Sequence, residues 1–158
     1  MQMNVLFVCS GNVSRSFLAE VLLIMELEAQ EVGNISVSSA GLFAFPGSPA
    51  DRVMVNYLSE MGLPAKDHEA RQLTTEDVNW ADLILVMEKD HARVIEKQWP
   101  HAVEKVDLLG KYISPEQRPD DILDPFRNSP YHYRLAQAQI TMAVKSLAKE
   151  LASKKAHA

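Results

Sequence analysis

The residues with the clearest chemical potential lie in V-C-S-G-N-V-S-R-S, residues 8–16. Cys9, the one cysteine among 158 residues, directly follows the short apolar run Asn4–Val8, which is typical of a buried strand. A loop between a strand and a helix can turn successive backbone N–H groups inward, and the helix adds the positive end of its dipole. Arg15 supplies a planar fork that matches two phosphate oxygens. The pattern predicts an anion site in which a phosphate lies against a Cys9 thiolate.

We call residues 9–16 the phosphate loop. The backbone N–H groups expected to surround a bound phosphate belong to Ser10, Gly11, Asn12, Val13, Ser14 and Arg15. Gly11 and Asn12 tolerate unusual backbone angles, and we expect the Ser16 hydroxyl to donate a hydrogen bond to the thiolate. A free cysteine is more often a small buried core residue. The strand before the loop and the helix after it favour the catalytic interpretation.

Composition narrows the class of protein. The chain is 47% hydrophobic and carries a net charge of -5, which argues against a nucleic-acid partner, since such proteins usually show a basic face. A single cysteine excludes an intrachain disulfide. The amino-terminal residues do not resemble a signal peptide, and no apolar run approaches the length of a membrane span. We therefore expect a cytoplasmic protein without membrane insertion, with one domain over residues 1–153 and a polar tail over 154–158.

Hydrophobic periodicity predicts the elements that position the loop. Strands are predicted at Asn4–Val8, Ile35–Ser39, Leu83–Met87 and Glu104–Leu108. Helices are predicted at Ser16–Gln30, Ala50–Met61, a short segment capped near Thr74, Lys89–Gln98 and Tyr131–Leu151, with Ala40–Pro49 and Ser114–Pro130 as loops. Strands that alternate with helices predict a single α/β domain, a four-stranded parallel sheet flanked by helices. Ligands bind beyond the carboxyl ends of such strands, and Cys9 lies at one of those ends.

The phosphate loop resembles that of the low-molecular-weight protein tyrosine phosphatases, whose pattern is Cys-x-Gly-Asn-(Ile/Val)-Cys-Arg-Ser. Further matches follow in the same order along nearly the whole chain. They are Ser39-Ala40-Gly41, Ser48-Pro49 with Asp51 and Arg52, H-E-A-R-Q at residues 68–72, and Asp124-Pro125-Phe126. The resemblance implies hydrolysis of phosphotyrosine through a cysteinyl-phosphate intermediate.

Phosphomonoester hydrolysis also needs a group that protonates the leaving oxygen and later deprotonates water. Asp120, Asp121 and Asp124 all lie in D-D-I-L-D-P-F-R-N, and an aspartate before a proline is more commonly a solvated turn residue. Pro125 biases the residue before it toward an extended conformation. The resemblance selects Asp124 as this general acid and base, with Cys9 as nucleophile.

The resemblance also assigns a supporting role to His68, which would hydrogen-bond to Asn12 and hold the phosphate loop in shape. The other histidines (91, 101, 132 and 157) are expected mostly at the surface. None of the five shows a metal-ligand spacing such as His-Glu-x-x-His. We therefore expect neither a metal nor a cofactor.

Aromatic side chains would form the walls of the site. Phe43 or Phe45 on one side and Phe126 on the other would suit a deep pocket for phosphotyrosine, and Arg127 would meet an acidic peptide or a phosphate. Loop aromatics pack against the core as often as they bind ligands, so Phe43 and Phe45 could instead cover the core.

Asp-Pro-Phe-Arg-Asn looks most like the bacterial members of the family, many of which are paired with tyrosine autokinases that control exopolysaccharide export. A phosphotyrosine-bearing protein of that type is the implied partner.

One position departs from the family pattern. Ser14 stands where a second cysteine usually forms a reversible disulfide with the nucleophile, so we expect Cys9 to be over-oxidised to sulfinic acid more readily. The lack of further cysteines argues against an arsenate reductase of this fold. A non-catalytic phosphate binder would need neither the nucleophile nor Asp124, and a cysteine phosphocarrier would need no Asp-Pro acid. The presence of Cys9, Arg15 and Asp124 together therefore argues against both of these classes.

Overall fold

Four parallel strands form the centre of the computed structural model, which describes residues 2–63 and 67–156. The strands are β1 (Met3–Cys9), β2 (Ile35–Gly41), β3 (Leu83–Val86) and β4 (Val106–Leu108). The helices are α1 (Arg15–Ala29), α2 (Arg52–Glu60), α3 (Thr75–Trp80), α4 (Lys89–Gln98) and α5 (Pro130–Ala156), and 3-10 turns at Pro100–Lys105 and Leu109–Tyr112 flank β4. The α/β class and the four-stranded parallel sheet are confirmed.

Strand order is β2-β1-β3-β4, so β1 lies inside the sheet and carries the phosphate loop at its carboxyl end. Strand β1 pairs with β2 from Met3↔Ile35 to Cys9↔Gly41. Consecutive β1 residues are buried on both faces, as the apolar run predicts for a parallel sheet. Cys9 is thereby fixed beside the end of β2.

The two faces of the sheet pack against different helices. Val5 and Phe7 belong to a core with residues of α1, α2 and α5. Leu6 and Val8 point the other way, into a core with Val78 of α3 and residues of α4. Alternation along β1 places the Cys9 side chain in the first of these cores, under the start of α1.

The starts of two helices can be traced to single residues. Thr74 caps α3 through a reciprocal pair of hydrogen bonds with Asp77, as the sequence indicates. Asp51 caps α2 by accepting a hydrogen bond from Val53 N–H. The end of α2 comes where Gly62 adopts a φ of 79°.

Several predicted boundaries were wrong, among them those of α5 and β2. Helix α5 continues beyond Leu151 to Ala156, so residues 154–156 of the predicted polar tail are helical, while 157 and 158 lie outside the described residues. Ala40 and Gly41, predicted as loop, complete β2 because they pair with Val8 and Cys9. The domain boundary at 153 stays a prediction. Within residues 2–63 and 67–156, no helix is long and apolar enough to span a bilayer.

Candidate active site

Cys9 lies at the floor of an opening at the carboxyl edge of the sheet. Its side chain is 3% exposed, and its sulfur accepts a hydrogen bond from the Asn12 backbone N–H over 3.3 Å. The Ser16 hydroxyl lies 3.0 Å from the same sulfur, as expected. These contacts supply the hydrogen-bond donors that a thiolate nucleophile requires.

Asn12 holds the phosphate loop together from inside. Its φ of 57° is left-handed, a conformation that asparagine tolerates better than most residues. Its amide N–H₂ donates to Ser16 Oγ and to Ser39 Oγ, each over 2.9 Å, and its side-chain oxygen accepts from Arg71 N–H over 3.0 Å. Because an amide nitrogen only donates, Ser16 accepts there and keeps its own proton for Cys9.

His68 contacts the loop where the resemblance places it. Its Nε2 lies 2.6 Å from the backbone oxygen of Asn12. A carbonyl oxygen only accepts, so His68 donates and carries a proton on Nε2. The ring also packs at 4.8 Å, centroid to centroid, against Phe17 in the first turn of α1. The expected hydrogen bond is therefore present, and it reaches the main chain of Asn12.

Glycine is required beside the loop and not within it. A Cβ on Gly41 would lie 2.8 Å from Ser10 O and 3.0 Å from Asn12 N, so the end of β2 can approach the loop only without a side chain. Gly11 has no positive φ, and a Cβ there would meet nothing closer than Val13 at 3.9 Å. Of the two residues expected to adopt unusual angles, only Asn12 does so.

Arg15 is buried and held in one orientation. Its side chain is 1% exposed, and Nη1 donates to Glu88 Oε2 over 2.6 Å and to the backbone oxygen of Ile122 over 2.7 Å. Nη2 lies 3.8 Å from Asp124 Oδ2. One side of the guanidinium is thus fixed by the protein. Glu88, which the sequence reasoning missed, follows β3 at the same edge of the sheet that carries Cys9.

His91 corrects a prediction, because it is buried and not a surface residue. It lies in the first turn of α4, where Nδ1 accepts from Glu88 N–H over 3.1 Å. Its Nε2 therefore carries the proton of a neutral ring and donates to Ser10 Oγ over 3.0 Å. Burial, with the nearby Arg15 charge, lowers the pKa of His91 below its usual value. His91 and Glu88 together form a second support beneath the phosphate loop.

Residues 124–128, which we call the acid loop, lie on the open side of the site. Asp124 is 48% exposed, and its Oδ1 accepts from Phe126 N–H over 3.0 Å. Asn128 N–H closes a turn onto Pro125 O over 2.8 Å. The loop therefore presents the Asp124 carboxyl group near Arg15 while its own backbone is locally ordered.

Aromatic side chains surround a cavity of about 670 Å³ above Cys9. Phe43 and Phe45 are 71% and 82% exposed, so neither caps the core, and both line this cavity. Phe126 lines it too, with the Arg127 guanidinium 5.3 Å from its ring centroid. The structure thus places both loop phenylalanines at the mouth, together with the expected Phe126 and Arg127. Arg52 is a further cation on the lining.

Asp51 connects α2, α5 and the phosphate loop, a role that sequence reasoning missed. Its backbone N–H donates to Val13 O over 2.8 Å, and its Oδ2 accepts from the Tyr133 hydroxyl over 2.7 Å. Burial, with the hydrogen bond to the Asp51 carboxylate, raises the pKa of Tyr133 to about 12. Tyr133 is thus a buried hydrogen-bond donor near the site.

The phosphate loop and the fold around it define an α/β protein with a cysteine at the bottom of an anion-binding loop. A family model described as "Low molecular weight phosphotyrosine protein phosphatase" matches residues 4–157. The chain belongs to this family of enzymes, as its motifs indicate.

Individual relatives divide between two substrate classes. A protein-arginine-phosphatase of Geobacillus stearothermophilus is 34% identical over 151 residues, 96% of this chain and 97% of the relative. A probable low molecular weight protein-tyrosine-phosphatase, EpsP, of Ralstonia solanacearum is 38% identical over 141 residues, 89% of this chain and 90% of the relative. Among solved structures, Vibrio vulnificus Wzb in complex with benzylphosphonate has a TM-score of 0.84 at 32% identity, and the match covers 95% of this chain and 99% of that one.

Proposed function

We propose that this protein hydrolyses phosphotyrosine through a phosphoenzyme on Cys9. The observation that carries the proposal is the convergence of Cys9, Arg15 and Asp124 on one cavity with aromatic walls. The depth of the floor suits a phosphate at the end of an aromatic ring, because the cysteine is almost fully buried. Val13 and the three phenylalanines give the ring an apolar surface to pack against.

In the first half-reaction the Cys9 thiolate attacks phosphorus, forming the S–P bond as the bond to the tyrosyl oxygen breaks. The leaving oxygen takes a proton from the Asp124 carboxyl group. Charge spread over the equatorial phosphoryl oxygens is met by the Arg15 guanidinium and by the backbone N–H groups of the loop. Glu88 holds Arg15 in place, so the cation need not be oriented during the reaction.

In the second half-reaction a water molecule attacks the phosphocysteine. Asp124, now a carboxylate, takes a proton from that water, and the S–P bond breaks to release inorganic phosphate. The Ser16 hydroxyl, 3.0 Å from the sulfur, donates to the thiolate as it leaves. The enzyme returns to its starting protonation state.

Phosphoarginine is the second candidate substrate, because the G. stearothermophilus relative is a protein-arginine-phosphatase. A guanidinium leaving group would need acceptors at the mouth. Of the two carboxylates on the lining, Asp124 is assigned to proton transfer, and Asp51 is already engaged by Val53 N–H and the Tyr133 hydroxyl. Arg52 and Arg127 would repel a cation. The aromatic walls and these cations favour phosphotyrosine.

Paired substrates test this proposal directly. We expect the wild-type protein to release phosphate from a phosphotyrosine peptide with a higher kcat/KM than from the same peptide carrying phosphoarginine. Cys9→Ser should abolish turnover of both, by about 10⁴-fold or more, since the nucleophile is lost. A higher kcat/KM for phosphoarginine would overturn the substrate assignment, and undiminished turnover by Cys9→Ser would overturn the mechanism.

The proposed partner is a phosphotyrosine-bearing protein in the cytoplasm, such as a bacterial tyrosine autokinase of an exopolysaccharide system. The EpsP relative, a probable protein-tyrosine-phosphatase, supports the phosphotyrosine part of this assignment. A reducing compartment also suits an enzyme whose nucleophile is its one cysteine. Incubating the phosphorylated autokinase from the same cell with the wild-type protein should remove its phosphotyrosine, and a kinase that kept it would contradict the pairing.

A further inference from the structure

One buried hydroxyl, on a residue that lines the cavity, has no hydrogen-bond partner. Within the part of the chain that the structure describes, Ser14 Oγ is the buried side-chain oxygen or nitrogen atom left without one. Ser14 is 3% exposed, like Cys9, and both residues line the same cavity beside Arg15. A buried hydroxyl without a partner is unfavourable, so its presence calls for an explanation.

Helix capping does not explain it. Ser14 is the residue before α1, a position where serine commonly accepts from a backbone N–H of the first turn. Its backbone φ of -120° and ψ of -82° differ from the usual extended cap, and its side chain makes no cap hydrogen bond. The hydroxyl therefore contributes nothing to the start of the helix.

The other serines around the loop are used differently. Ser10 Oγ is bonded to His91, Ser16 Oγ to Cys9 and Asn12, and Ser39 Oγ to Asn12 and Glu20. Each of these hydroxyls stabilises the loop before any substrate arrives. Ser14, the residue directly before Arg15, is the one of the four whose hydroxyl neither donates nor accepts a hydrogen bond.

We propose that the Ser14 hydroxyl, whose oxygen is closed off from solvent in this structure, turns about the Cα–Cβ bond when a phosphoryl group binds and donates a hydrogen bond to one of its oxygens. A hydrogen bond to a charged oxygen is about twice as strong as one between neutral groups, and the ligand would satisfy a donor that is otherwise unpaired. The hydroxyl would act beside the Ser14 backbone N–H, which the loop already offers. This inference rests on the proposed function only in taking a tetrahedral oxyanion as the ligand.

The test measures phosphate affinity and stability in the same variants. Inorganic phosphate is titrated by calorimetry into Cys9→Ser and into Cys9→Ser/Ser14→Ala, so that binding is read without turnover. We expect the Ser14→Ala change to weaken phosphate binding by about tenfold. The melting temperature without phosphate should stay equal or rise, because the unpaired hydroxyl is gone.

Ser10→Ala, made in the same Cys9→Ser background, is the matched control. Its hydroxyl is already bonded to His91, so its loss should lower the melting temperature without phosphate. Equal phosphate affinity with and without the Ser14 hydroxyl would overturn the proposal, whether or not stability changed. If the Ser14→Ala protein fails to fold, Ser14→Cys replaces it, and an unchanged affinity with that weaker donor would again overturn the proposal. Phosphate binding by these variants, together with no phosphotyrosine turnover by the wild-type protein, would instead count against the proposed function alone.

Discussion

The phosphate loop and the acid loop face the same cavity but are held in different ways. The phosphate loop is largely buried and is bonded to α4, to β2 and to the segment that carries His68. The acid loop is mostly exposed, and its hydrogen bonds at Asp124 stay within its own turn. The difference indicates that the oxyanion site is assembled before substrate arrives, whereas the leaving-group side can adapt to the substrate.

This division has an energetic reason. Positioned donors accelerate phosphoryl transfer only if they need no reorganisation, which requires the burial and bonding seen around Arg15. The leaving group, in contrast, is part of a protein substrate and must enter from solvent. Changes in the acid loop should therefore alter catalysis and substrate choice, while changes beneath the phosphate loop should also alter stability.

Removal of the Asp124 carboxyl group should have the largest effect. We expect Asp124→Asn to lower kcat by 10²- to 10⁴-fold toward a poor leaving group such as an alkyl or phenyl phosphate, and by much less toward para-nitrophenyl phosphate. The reason is that a good leaving group needs little protonation. Steady-state rates over a series of leaving groups measure this dependence. Equal losses across the series would show that Asp124 is not the acid. Asp120→Asn, in the segment directly before the acid loop, is the matched control.

A change at Glu88 tests whether Arg15 is held in position beneath the phosphate loop before substrate binds. Glu88→Ala leaves the buried Arg15 with only the longer, 3.8 Å contact to the Asp124 carboxylate. This should cost on the order of 2–3 kcal/mol of unfolding free energy, less than for a fully buried pair since Glu88 is partly exposed. Urea unfolding measures the loss, and kcat/KM should fall with it. Stability equal to that of the wild-type protein would contradict the view that Arg15 is pre-positioned by this pair. Arg93→Ala, which breaks an exposed pair with Asp90, should change stability little.

The cations at the mouth should give a smaller effect, on substrate choice. Arg52 and Arg127 line the cavity in a protein whose net charge is -5, so we expect phosphotyrosine peptides with flanking glutamates to be preferred over lysine-flanked ones. Replacing both arginines with glutamine should reduce the ratio of kcat/KM values by about two- to fivefold, the range of exposed ion pairs. Competition between the two peptides measures that ratio. As a control, Arg134→Gln, at an exposed position on α5, should leave this ratio of kcat/KM values unchanged. An unchanged ratio in the double variant would exclude the proposed preference for glutamate-flanked peptides.

His91 should give the smallest effect, on the pH dependence of stability. Because its pKa is lowered in the folded state, unfolded chains take up the proton first as the pH falls. The stabilisation from neutral His91 is therefore complete above about pH 6.5, the usual pKa of histidine, and is lost as the pH falls through the folded-state value. Melting temperatures from pH 8 to 5 should fall less steeply in His91→Asn than in the wild-type protein. Parallel curves would contradict this prediction.

Local patterns were enough to predict the sheet, most helices and the phosphate loop. The apolar runs at Asn4–Val8 and Leu83–Met87 specify buried strands by themselves, and a loop between a strand and a helix follows from them. The residues that sequence reasoning missed act through long-range contacts. Arg15 and Glu88 are 73 positions apart, and Tyr133 and Asp51 are 82 apart. The sequence predicts His91 to be at the surface, whereas the structure buries it where the first turn of α4 contacts Ser10, 81 positions away in the chain.

Because Cys9 is the one cysteine in the sequence, reaction of its thiol reports on the active site alone. In the folded chain, each thiol that reacts with a maleimide or a disulfide reagent is an active-site sulfur, so one titration counts competent sites without a substrate. Since the sulfur is only 3% exposed, such a reagent must enter by the route a phosphoryl group takes. Phosphate should therefore slow the labelling, and the concentration that halves the labelling rate gives its affinity directly.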